Sequence, residues 1–267
     1  MNLSGSILKM KTQLDAKGAV SYSLPMGDEL LEMNPLIEKK ISLEWAGDIF
    51  DIYDGEKIKK SYGQGYSYKN LISLARCDTC IIKPELCHYH KGTCREPKWG
   101  EEHCFIPHYI YLSVTSGVKV GITRETQVPT RWIDQGAVKA IAVAKVPDRK
   151  TSGMIEVEIA KEMADKTNWR KMLRGEYEDV DLELMREQIY ENYGDLLDDG
   201  DAEDLDDPVV EIHYPIVEVP QKFSSLSFNK LNKIEGTLLG IKGQYLILDT
   251  GVLNIRKHNG YHIEIKA

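Results

Sequence analysis

Residues 108–124 read H-Y-I-Y-L-S-V-T-S-G-V-K-V-G-I-T-R. Two short apolar runs, Tyr109 to Val114 and Val118 to Ile122, flank Thr115-Ser116-Gly117. Both runs are rich in β-branched and aromatic residues and a glycine-containing loop joins them, so they predict a β-hairpin. Downstream, R-W-I-D-Q-G-A at 131–137 predicts a short helix that ends at Gly136. Ala140–Val146 is an apolar run of strand length. Met154 to Ala164 then carries apolar residues at 155, 159, 160 and 163, with Glu158, Lys161 and Glu162 on the other face, which is a helical stripe. Residues 105–175 are therefore expected to form an α/β centre.

The flanks on either side read as β structure. In residues 1–65, Ser6–Thr12, Ala19–Leu24 and Ile41–Trp45 are strand candidates. Asp54-Gly55 marks a turn between Ile49–Tyr53 and Lys57–Tyr62, a second hairpin, while G-D-E-L-L-E-M-N-P at 27–35 reads as a helical turn ending before Pro35. In residues 208–267, Val209–Val219, Ile234–Ile241, Tyr245–Asp249, Val252–Arg256 and Tyr261–Ile265 are strand candidates punctuated by Gly243, Gly251 and Gly260. That pattern predicts a small antiparallel barrel or sandwich.

All five cysteines fall between Cys77 and Cys104, in the pattern Cys77-x2-Cys80-x6-Cys87-x6-Cys94-x9-Cys104, with His88, His90 and His103 interleaved. An odd, clustered set with no secretory signal before it argues for metal and against disulfides. The loops between are rich in Pro, Gly and Lys, as suits a metal-held knuckle over residues 66–104. One structural Zn²⁺ is expected, gripped by Cys77 and Cys80 with two of Cys87, Cys94 and Cys104, or with a histidine in the set.

The formal net charge of −8 over 267 residues is unevenly spread. Residues 176–207 hold fifteen Asp or Glu and a single Arg, whereas the rest carries more Lys and Arg than acids. The body is thus mildly basic, which permits nucleic-acid binding. In the acidic segment, the first half to Leu197 has helix-forming composition, and D-D-G-D-A-E-D-L-D-D at 198–207 reads as an open loop. It is expected to be a solvated linker or, on a sharper reading, a cover for a basic groove. No apolar run reaches eighteen residues and the first residues lack a signal-like core, so neither a membrane span nor a membrane partner is expected and a cytoplasmic location is.

The central stretch resembles the GIY-YIG nuclease superfamily. Y-I-Y at Tyr109-Ile110-Tyr111 stands where G-I-Y would, and K-V-G at Lys119-Val120-Gly121 stands where Y-I-G would, without its tyrosine. The resemblance implies that Tyr111 sits near an attacking water, Arg131 near the scissile phosphate, and Glu156 (or Glu158) on a divalent Mg²⁺ or Mn²⁺. Lys119, Arg124 and Lys145 would be phosphate contacts, and DNA the partner.

Over most of its length the chain also resembles a bacterial family of unknown function, number 2797. The stretches that carry this are K-K-S-Y-G-Q-G-Y, the cysteine segment from Cys77 to Cys104, L-S-V-T-S-G-V-K-V-G-I-T-R through W-I-D-Q-G-A, and D-K-T-N-W-R. Similar sequences carry a further C-x2-C…C-x2-C zinc ribbon where this chain has Asp51, Asp54, Ser67 and Asn70. A degenerate ribbon near 51–70 is therefore expected, and one zinc instead of two.

Together these readings predict an α+β protein with a β-rich module (1–65), a zinc knuckle (66–104), a GIY-YIG-like core (105–175), an acidic insert (176–207) and a C-terminal β module (208–267). The expected function is a zinc-containing nuclease-like protein that binds or cuts DNA. The alternative is an inactive nucleic-acid or protein-binding module on the same scaffold.

Overall fold

The structure is a computed structural model and describes residues 1–163 and 167–267. The chain opens with β1 (Asn2–Ser6), β2 (Lys11–Leu14), β3 (Val20–Met26), β4 (Glu29–Glu32), the long β5 (Lys40–Phe50) and β6 (Lys57–Ile58). Helix α1 (Tyr68–Ser73), a chain of short 3-10 turns and α2 (Pro97–His103) follow. Next come β7 (His108–Val114), β8 (Val118–Arg124), α3 (Thr130–Asp134), β9 (Lys139–Val146) and α4 (Arg149–Ala160). Then α5 (Trp169–Arg174), α6 (Leu182–Asp199), β10 (Glu203–Asp204) and β11 (Val210–Glu211) lead to β12 (Ser225–Leu226). The chain closes with β13 (Lys233–Lys242), β14 (Tyr245–Leu248), β15 (Gly251–Asn254) and β16 (Tyr261–Lys266). Among the described residues no helix is long and apolar enough to cross a membrane.

The chain divides into two compact units, and residues 72–132 and 137–211 form one of them. Its centre is the predicted hairpin. β7 pairs with β8 on one side and β9 on the other, both antiparallel, so that the hairpin's first strand is the middle of the sheet. Side chains alternate across a strand. Ile110, Leu112 and Val114 accordingly face one core, which they share with Val120, with Ile155 and Ile159 of α4, and with Leu182, Ile189 and Leu197 of α6. Tyr111 points to the other face, where its ring meets Trp132 edge-on at 6.0 Å. Gly121 lies directly opposite Tyr111, and a Cβ there would come within 2.7 Å of the tyrosine ring and hydroxyl. The glycine of K-V-G is thus required by the tyrosine it faces.

Two expectations change in this unit. Helix α4 begins at Arg149, five residues before the expected Met154, because Asp148 caps it with Oδ1 accepting from Thr151 N at 2.9 Å. Its expected end at Ala164 and the first two residues of D-K-T-N-W-R lie outside the described residues. The acidic segment is not an open linker. α6 buries an apolar stripe, and Glu203-Asp204 pairs with β9 as a sheet strand. The segment's one arginine, Arg186, is buried and donates to the carbonyls of Leu205 and Asp207 at 3.0 and 2.8 Å, tying the acidic loop to the helix.

The other unit comprises residues 1–71, 133–136 and 212–267, so the first and last sections of the chain fold together. Its main sheet has the order β1-β16-β5-β13-β14-β15-β12, with β6 on β5. The C-terminal strands therefore close no barrel; β13 and β16 instead take both edges of β5. β2, β3 and β4 form a separate three-stranded sheet. The segment expected to be a helical turn is β4: Gly27, at φ +59°, and Asp28 make a two-residue loop, so Leu31 turns inward and Leu30 outward with the strand period.

Asp51, Asp54, Ser67 and Asn70 converge in this unit. Asp51 is 2% exposed, and its carboxylate accepts from Tyr53 N (2.7 Å), Ser67 N (2.5 Å) and Asn70 Nδ2 (2.8 Å). Asn70 Nδ2 also donates to Asp54 Oδ2 at 2.7 Å, and its own N–H donates to Ser67 Oγ at 3.2 Å. Burial alone would raise the pKa of Asp51; the donors outweigh it and hold the carboxyl below its ordinary value. Hydrogen bonds among these four residues close the hairpin around Asp54-Gly55. Asn70→Ala leaves the buried carboxylate short of a donor and is expected to cost about 1–3 kcal/mol, read as a lower urea midpoint with unchanged slope.

Candidate metal centre

The cysteine segment folds as a series of 3-10 turns at 75–77, 79–81, 84–86 and 89–91, each too short to have a core of its own. Polar braces hold the series together. Asp78 caps the second turn by accepting from Thr79 N at 2.6 Å, and Gly92, at φ +69°, reverses the chain after the fourth. Glu96 accepts from Ala75 N at 2.7 Å, and Arg95 donates to Leu74 O at 3.2 Å, so the segment's two ends meet.

Four cysteines line one small space inside these turns. Cys80, Cys87, Cys94 and Cys104 line a cavity of about 20 Å³. That is room for a single ion or water. None of the five cysteines forms a disulfide. Cys77, expected to be a ligand beside Cys80, is not among the lining residues. It ends the first turn, and Asp78, in extended backbone, separates it from the second. Asp78, Cys80 and His88 also bring one ligand atom each within 4.8 Å of one another. The carboxylate of Asp78 already holds Arg95 Nε at 2.8 Å and stands 3.4 Å from His88 Nε2, while His88 Nδ1 meets Thr93 Oγ1 at 2.8 Å. His103 is engaged elsewhere, stacked on Trp99 with Nδ1 at 2.9 Å from the Trp99 carbonyl.

The electrostatics show what such a cluster demands. Burial, then Asp78 and the neighbouring thiols, push the Cys80 thiol up to about 11. Burial pushes Cys104 up as well, against the opposing pull of Arg149. Thiols buried beside a carboxylate resist ionisation unless a cation joins them, and a divalent metal would reverse the balance by holding them as thiolates. The donor set fits a soft or borderline metal.

The cysteine segment docks on the first turn of α4. Arg149 N donates to Cys104 O at 2.8 Å, and Arg149 Nη2 donates to Ile81 O at 2.5 Å. Gly153 lets Pro84 approach so closely that an added Cβ would lie 2.5 Å from the proline ring. Neither Arg149 nor Gly153 stands out in the sequence, because neither belongs to a spacing pattern.

The residues implied by the nuclease resemblance are placed as follows. Tyr111 is fully buried. Glu156 is half-buried in the second turn of α4, away from the helix N-terminus, and α4 packs on the sheet face opposite the Tyr111 ring. Arg131 is half-buried on α3, and together with Arg124 it bears electrostatically on Arg149, whose pKa burial already pushes down. Of the three basic residues expected to touch phosphate, Lys119 faces Ser113 near the hairpin turn and Arg124 faces His108 at the far end, about 17 Å away along the strand. Lys145 lies opposite Tyr109 and is paired with Glu125 at 3.3 Å. These three therefore do not form one patch.

His108, passed over in the sequence, is wholly buried beside this centre. Its Nδ1–H donates to Ile106 O at 2.7 Å and Nε2 has no partner. Burial, reinforced by Arg149 and Arg124, lowers its pKa from 6.5 to about 4. A depressed histidine contributes stability in full above pH 6.5, and the contribution is lost as pH falls towards 4. The loss amounts to about 3 kcal/mol. Urea midpoints measured between pH 7 and 4 are expected to fall in the wild type and to fall less in His108→Phe.

Metal content gives the second check. The purified protein is expected to hold one zinc per chain by atomic emission. Cys77→Ser retains it, Cys80→Ser and Cys94→Ser lose it, and a chelator lowers the unfolding temperature of the wild type. Retention in Cys80→Ser with loss in Cys77→Ser would reverse the ligand assignment.

No characterised protein and no solved structure is significantly similar to the chain. One family profile matches, over residues 38–263, and its description is "protein of unknown function (DUF2797)". The match spans both compact units, including the hairpin, the thiol-lined cavity and the Asp51–Asn70 network, and on that extent the chain belongs to the DUF2797 family.

Proposed function

We propose that this protein is a zinc-organised nucleic-acid-binding module, built on a GIY-YIG-like scaffold that does not hydrolyse phosphodiesters through Tyr111. The observation that carries this reading is the complete burial of Tyr111 between Gly121 and Trp132. A hydroxyl so placed reaches neither a water nor a phosphate, and general-base or water-orienting catalysis requires contact within hydrogen-bond distance. Zinc would be held at Cys80, with Asp78 and His88 offering ligand atoms within 4.8 Å of it and Cys87, Cys94 and Cys104 lining the same space, and would supply folding energy to turns that lack a core. DNA is supported as the partner by the mildly basic body and by Arg124 and Arg131, whose charges both bear on Arg149.

A second reading, metal-dependent cleavage, is favoured by one observation. Tyr111, Gly121, Arg131 and Glu156 lie on β7, β8, α3 and α4 in the order that the nuclease resemblance implies. Glu156 would then hold Mg²⁺ or Mn²⁺.

Labelled single-stranded, duplex and branched DNA, incubated with zinc-loaded protein and Mg²⁺ or Mn²⁺, separates the two. Binding on native gels without cutting is the expected outcome. Cutting by the wild type that disappears in Glu156→Gln would establish the nuclease and overturn the proposal. If no DNA of any form is retarded, the nucleic-acid reading fails altogether.

A further inference from the structure

Beside the thiol-lined cavity lies a second, larger one of about 150 Å³, between the knuckle and the start of α4. Cys80, Cys87 and Cys104 line both cavities. Two aromatic rings and three basic side chains complete it. Tyr89 and Phe105 pack edge-to-face at 4.7 Å, and Phe105 is 47% exposed despite its size. Tyr89 is held in place by its hydroxyl, which donates to Glu101 at 2.5 Å. His90, Arg149 and Lys150 line the same cavity. Asp148 is its one carboxylate, and both oxygens are spent on Thr151, accepting from the N–H at 2.9 Å and the hydroxyl at 3.2 Å. The guanidinium of Arg149 is bound through Nη2 to Ile81 O, while its buried Nε has no partner.

A cavity with an aromatic wall and a basic rim at the positive end of a twelve-residue helix suits a flat, uncharged ring attached to an anion. We propose that it takes one nucleotide unit, with the base against Phe105 and Tyr89 and the phosphate against Lys150 and Arg149. Two sources carry that chemistry, a nucleotide within a single strand and a free nucleotide. The first rests on the nucleic-acid reading above, which it makes specific for unpaired bases; the second does not. Duplex DNA presents its bases already stacked and leaves this wall unused.

The test uses the full-length, zinc-loaded protein with two probes, fluorescein-labelled (dT)10 followed by anisotropy and thymidine 5′-monophosphate followed by calorimetry. Phe105→Ala is expected to weaken (dT)10 binding about tenfold while leaving binding of a duplex unchanged. Lys150→Gln is expected to lower the salt dependence of (dT)10 binding by about 0.7 in slope. Zinc content equal to wild type shows that each variant has folded. If (dT)10 binds and both variants bind it as the wild type does, the cavity assignment is overturned and the nucleic-acid reading survives. If no DNA binds but the mononucleotide does, with loss in Phe105→Ala, the cavity assignment stands and the nucleic-acid reading falls. If neither probe binds, both are overturned.

Discussion

Strand β7 is covered on both faces and paired on both edges, and the unit around it depends on that confinement. Its backbone is satisfied by β8 and β9. Its odd and even side chains must therefore find two separate apolar environments, one under α4 and α6, the other against Trp132. A strand so enclosed tolerates few substitutions, because each side chain has a fixed volume to fill. The same confinement governs function. Tyr111 is a packing residue, and the glycine across from it admits its ring.

The metal centre stands in the opposite energetic position. Residues 75–104 bury little apolar surface, and their four turns are closed by short polar bonds and by docking on α4. Burial, then Asp78 and the neighbouring thiols, raise the pKa of Cys80. A bound divalent ion would turn that penalty into the main source of cohesion. Arg149 joins the Cys104 and Ile81 carbonyls to the first turn of α4, which ties the cysteine segment to that helix. At Asp51, Asp54, Ser67 and Asn70 the other unit reaches a comparable closure with hydrogen bonds alone.

Much of this was legible in residue order. The hairpin at 108–124, the helix stopping at Gly136, β9, and the strands from Lys233 onward all follow from periodicity and turn residues, which act over a few neighbours. The clustering of cysteines pointed to a metal for the same local reason. Less legible were the segments whose state depends on distant partners. Glu29–Glu32 has a composition that suits a helix, yet the two-residue Gly27-Asp28 loop folds it back on β3. The acidic segment looked like a solvated linker because its charges outnumber its apolar residues. The stripe of Leu182, Ile189 and Leu197 beneath them, at helical spacing, could have signalled burial.

The sequence by itself determined the α+β class, the central hairpin, a cysteine-rich segment and membership in a family whose model matches these stretches. Tertiary structure alone decided that the first and last strands share one sheet, that Cys80 and not Cys77 reaches the thiol-lined cavity, and that Tyr111 points inward. The physical reason is common to all three. Spacing along a chain sets which residues recur on one side of a strand or turn, but which side meets a core, a cation or a neighbouring strand is set by contacts hundreds of residues or several turns away.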